Sequence, residues 1–197
     1  MKKIISFLIL LVVVFIMIIG IRTATVIMKN ETEKFLGDKE NWSDIKMELQ
    51  DIHGLWGGRN ITVLGSGKAT AQIVTPSVVP PQTVVDPNTS YGLYQKTYEF
   101  SIEDVELNSL IDLFIKNDFL TIDIKNRLGI PDESKPKIVL TNPDGQYRAV
   151  EVWINDLQKN GSSIKRFANI YGRFIGIEMG IETNSDSLKP VSEGIWR

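Results

Sequence analysis

Few residues of this chain invite a chemical reading. Gly65-Ser66-Gly67-Lys68 resembles the end of a phosphate-cradling loop. That loop needs a glycine at position 62 and a Ser or Thr at position 69. The residues there are Thr62 and Ala69. The loop must also open a helix, so that its N–H groups and dipole meet the phosphate. Here both flanks alternate like strands, so the four residues read as a hairpin turn.

His53 is the single histidine. It precedes a glycine-rich stretch and reads as a helix-end residue complementing the dipole. One histidine cannot build a histidine-rich metal site, and nothing places it in a triad. Asp118, Asp123, Asp132, Glu133 and Asp144 lie close in sequence. Paired carboxylates could hydrolyse a glycoside or hold calcium. No acidic series with calcium-loop spacing is present, and Asp144 is explained by its turn. No cofactor is called for. The chain has no cysteine, which excludes disulfides, thiolate chemistry, Cys zinc sites and an N-terminal lipid-bearing cysteine.

The strand expected over residues 146–154 carries the most distinctive pattern. Val150, Val152 and Ile154 share one face, while Tyr147, Ala149, Glu151 and Trp153 share the other. If helices cover the valine face, Tyr147 and Trp153 form an aromatic contact surface on the open face. The alternative is that another part of the chain covers them.

These residues must be positioned by a small domain. Ile45, Leu49 and Ile52 stand at helical spacing behind Ser43, which predicts a short capped helix ending at Gly54. Residues 60–74 read as a hairpin around Gly65-Ser66-Gly67. Pro76, Pro80, Pro81 and Pro87 mark a loop, and residues 94–100 a third strand. Ser101 reads as the cap of a helix carrying Leu107, Leu110, Ile111 and Phe114. After a loop from Leu120 to Lys135, the turn Asn142-Pro143-Asp144-Gly145 joins two strands. A last helix begins at Ser162 or Ser163 and buries Phe167, Ile170 and Phe174. The expected fold is α+β. An antiparallel sheet of about five strands, ordered β-β-β-α-β-β-α, carries two helices on one face.

Residues 4–21, from Ile4 to Ile21, carry no charge and follow Lys2 and Lys3. A helix of that length measures about 27 Å, close to the hydrocarbon core of a bilayer. The run predicts an N-terminal transmembrane helix that is retained, since a cleaved signal core is shorter. Lys2 and Lys3 favour the cytoplasmic side, which puts the remainder outside the cytoplasm at the cell membrane. The expected organisation is an anchor over 1–22, a stalk with a short helix over 23–57, a domain over 58–178 and a flexible tail over 179–197. The net charge is −2, with no basic stripe, which argues against nucleic acid as a partner.

Three stretches, YEFSIEDVELNSLIDLFIKNDFLTID, PKIVLTNPDGQYRAVEVW and SSIKRFANIYGRF, resemble small exported bacterial domains of unknown function. The resemblance implies location and fold, and carries no activity or site residues. The leading expectation is a non-enzymatic module that binds a protein or envelope component. The rivals are a small envelope hydrolase using acidic residues and an immunity or inhibitor protein.

Overall fold

Lys46 to His53 alternates polar Lys46, Glu48 and Gln50 with Met47 and Leu49. This period of two makes it strand β1 (Lys46–His53). The computed structural model describes residues 30–76, 92–125, 127–129, 132–183 and 187–196. Ahead of β1 come a one-turn-and-a-half helix α1 (Glu31–Leu36) and a 3-10 segment (Lys39–Asp44). Strands β2 (Gly57–Leu64), β3 (Lys68–Pro76) and β4 (Leu93–Ser101) follow. Helix α2 (Asp104–Lys116), the pair β5 (Lys137–Thr141) and β6 (Tyr147–Glu151), helix α3 (Ser162–Thr183) and strand β7 (Ser192–Ile195) complete the order.

All seven strands join one antiparallel sheet in the order β6-β5-β1-β2-β3-β4-β7. The register lines up Leu140, Met47, Val63, Ala69 and Phe100 across the sheet. It does the same for Ile138, Leu49, Ile61, Ala71 and Tyr98. These two rows face α2 and α3, whose Phe114, Phe167, Ile170 and Phe174 are fully buried against them. The opposite face is largely polar. There Asn60, Gln72 and Gln95 form a side-chain ladder over three strands, with Nδ2–Oε1 3.2 Å and Nε2–Oε1 2.7 Å.

Several expectations need correction. The sheet has seven strands rather than five, and three α-helices lie among the described residues. The helix expected behind Ser43 is β1, a strand paired on both sides. Met47 and Leu49 satisfy an alternating pattern as well as Ile45, Leu49 and Ile52 satisfy a helical one. Pairing with both β2 and β5 decides between them. Ser192 to Ile195, expected in a flexible tail, add to the edge of β4 as β7. No helix among the described residues is long and apolar enough to cross a membrane. The transmembrane reading of Ile4 to Ile21 falls outside the described residues.

Helix α1 is held by one buried threonine. The Thr32 N–H and hydroxyl both donate to Asp118 Oδ1, at 3.1 and 3.0 Å, and its Oγ1 accepts the Leu120 N–H at 3.0 Å. Asp118 sits at φ +41, the left-handed region, in the bend that leaves α2. Leu36 of the same helix reaches the core.

The register yields a stability prediction. Leu49 points into the core and Ile52 to the opposite face, so Leu49→Ala should cost about 2–5 kcal/mol. Ile52→Ala should cost less than half as much. Urea unfolding of the two variants measures both, and equal losses would contradict the strand register.

Candidate functional site

The end of the sheet where β1 stops and β2 starts is built around two glycines. Gly57 and Gly58 have φ of +75 and +133. A Cβ on Gly57 would stand 2.1 Å from the Val74 carbonyl oxygen, and one on Gly58 would stand 1.9 Å from that of Asp51. Only glycine allows this approach of strands at these angles. Beside them the helix-covered face opens at its end into a cleft of about 620 Å3. The cleft is lined by the ends of β1, β2 and β3, by Asp132 to Ser134, by Ile154 and Asn155, and by α3.

Its polar floor follows from register and helix spacing. Asp51 and Arg59 are cross-strand partners one step beyond the Leu49–Ile61 pair, so both point to the helix side. Tyr171 and Glu178 stand two turns apart on α3 and meet them there. The Tyr171 hydroxyl donates to Asp51 Oδ2 at 2.9 Å, and Arg59 Nη1 donates to Glu178 Oε2 at 2.5 Å. Asp51 and Glu178 are buried. Burial pushes the Asp51 carboxyl above its ordinary range, against the opposing pull of the Tyr171 hydrogen bond and Arg59. Burial raises Glu178 as well, again opposed by Arg59. Burial and the Asp51 charge raise the Tyr171 phenol further. A pair desolvated to this degree contributes little net stability, so its main effect is to set the geometry of the cleft floor.

His53 lies in this cleft at the end of β1 rather than at a helix end. Its Nδ1 accepts the Leu55 N–H at 3.2 Å. In the neutral ring the proton is then carried by Nε2. Leu55 and Trp56 form the turn between β1 and β2, and Trp56 lines the cleft while 65 % exposed.

The carboxylates singled out from the sequence do not converge as a set. Asp132 and Glu133 line the cleft. Glu133 accepts both Nη2 contacts of Arg127 at 2.7 Å and the Asn155 N–H at 3.1 Å. Arg127 holds the Glu133 carboxyl below its ordinary range. Asp156, bonded to Lys159 and Arg127, is held low in the same way. Asp118 serves the α1 contact, Asp144 sits in its turn, and Asp123 lines a second, smaller cleft beside β6 of about 270 Å3. Among the described residues no group of three or more His, Asp or Glu side chains could hold a metal ion.

Tyr147 and Trp153 are placed in different surroundings. Tyr147 pairs with Thr141 on the open face and is 72 % exposed. Strand β6 ends at Glu151, and Trp153 turns under the loop before β5. Its Nε1–H donates to the Arg127 carbonyl at 3.1 Å. The Arg127 guanidinium and Lys135 ammonium stand 5.7 and 5.1 Å from its ring centroid. A Cβ on Gly129 would lie 2.4 Å from the ring. Trp153 therefore packs this loop, and the two aromatics do not form one surface. Sequence reasoning passed over Asp51, Arg59, Tyr171 and Glu178. The Gly57-Gly58 pair beside the lone histidine was the available signal.

No family model, curated protein or solved structure matches this chain.

The raised carboxyls have a stability consequence with a definite sign. Their contribution is complete below the unfolded carboxylate value, near 4, and is lost as pH rises through the higher folded values. Glu133 and Asp156 behave in the opposite way, their contribution being lost as pH falls through the depressed folded values. Asp51→Asn removes the charge that burial penalises. The variant's thermal midpoint minus that of the parent should be more positive at pH 7 than at pH 4. The reverse order would mean that Tyr171 and Arg59 outweigh burial.

Proposed function

We propose that this protein is a binding module and that the cleft at the β1–β2 end is its contact site. The observation that supports this most directly is Trp56, which lines a preformed cleft while remaining mostly exposed. A large exposed aromatic beside a concave polar site is the arrangement expected of a binding anchor. A partner in the form of a protein or an envelope component fits this reading. The location outside the cytoplasm is inferred from the charge and hydropathy of residues 1–22 alone.

A hydrolytic reading draws support from Asp51 and Glu178, two buried carboxyls with raised titration in one cleft. Both are already engaged, Asp51 by the Tyr171 hydroxyl and Glu178 by Arg59. A general acid or base needs a proton path to substrate, so the binding reading accounts better for these contacts.

Site-specific photo-crosslinking distinguishes the cleft from the open face. A photoreactive residue at position 56 should yield a discrete adduct in intact cells, and one at position 147 should not. An adduct at 147 alone would move the contact site to the open face. No adduct at either position would count against an interaction module.

A further inference from the structure

The charges around the cleft are strongly unequal. Asp51, Asp132, Glu178 and Glu182 line it together with Glu133, whose charge Arg127 offsets. Among the described residues that line it, Arg59 is the only Lys or Arg, and it is committed to Glu178. The walls of low polarisability around Asp51 leave the field of this carboxylate poorly screened, while Arg59 offsets the charge of Glu178. Trp56, largely exposed, lines the same cleft. Carboxylates beside an exposed aromatic ring are the chemistry that takes up an ammonium or guanidinium group. A volume of about 620 Å3 exceeds the need of one metal ion and lies within the size range of ligand sites, about 300–1,000 Å3.

We propose that the cleft takes a lysine or arginine side chain presented by an extended basic segment of a partner polypeptide. This rests on the reading of the cleft as the contact site. Charge complementarity identifies the occupant, and it disfavours the neighbouring part of this chain. Residues 77–91, which follow Pro76 at the cleft edge, include Asp86 and no lysine or arginine. The binding energy is directed at one cation at a time, with Trp56 supplying the ring face and Glu182 and Asp132 the outer charges. Asp51 sets the field at the floor, where Arg59 offsets Glu178.

Calorimetric titration of the full-length protein with three octapeptides of equal length tests the proposal. One alternates Lys and Arg with Ser, one replaces the basic residues by Gln, and one replaces them by Glu. The basic peptide should bind saturably and the other two should not. Its affinity should fall roughly tenfold between about 50 and 300 mM salt. Trp56→Ala, Glu182→Gln and Asp132→Asn should each weaken it by roughly 3- to 10-fold with the thermal midpoint unchanged. Glu182 is exposed, and Asn tolerates the φ of +65 at Asp132, so these variants keep the fold. Binding of the Gln or Glu peptide as tightly as the basic one would overturn the cationic occupant and leave the contact site standing. Binding of none of the three would also overturn the cationic occupant. The adduct at position 56 would then report separately on the contact site.

Discussion

Helix α3 lies against the helix-covered face of the sheet, and burial of its apolar stripe organises the molecule. Phe167, Ile170 and Phe174 share one buried core with Leu49 and Ile61 of the central strands. Each fully buried apolar side chain of this kind stabilises the fold by about 1.5–3 kcal/mol. The helix is longer than this contact requires. Past Phe174 it continues over the end of β1 and β2, where Glu178 meets Arg59. Helix α3 thus supplies one wall of the cleft through Tyr171, Glu178 and Glu182.

The polar groups of that region follow from the same constraint. A helix face that leaves an apolar core must either meet water or find partners. Tyr171 and Glu178 find Asp51 and Arg59, which the antiparallel register had already placed opposite each other. On the neighbouring wall of the cleft, Arg127 does comparable work for a loop without regular structure. It bonds Glu133 and Asp156 while its backbone carbonyl receives the Trp153 indole. Loops cannot close their own hydrogen bonds as helices and strands do, so side chains take over that task.

Much of the fold was legible in the sequence because it rests on local periodicity. The hairpin turn at Gly65-Ser66-Gly67, the turn at Asn142 to Gly145, the helix carrying Leu107 to Phe114 and the last helix all have dense local signals. β1 was misread because eight residues satisfy two periods at once. β7 was missed because Ser192 to Ile195 has no strand pattern of its own and is defined by the edge of β4. Trp153 keeps the alternation past the end of β6, with Val152 buried before it, but the loop at Arg127 and Gly129 lies over its ring.

By itself the sequence determined that the described domain is α+β and antiparallel, that a cysteine-based or histidine-rich site is impossible, and that valines 150 and 152 face inward. These are consequences of residue type and of short-range spacing. Only the tertiary structure decided which charged groups share a cleft. Asp51, Arg59, Tyr171 and Glu178 are separated by up to 127 positions along the chain. Strand register and the crossing of one helix bring them together, and neither is encoded in any window short enough to read.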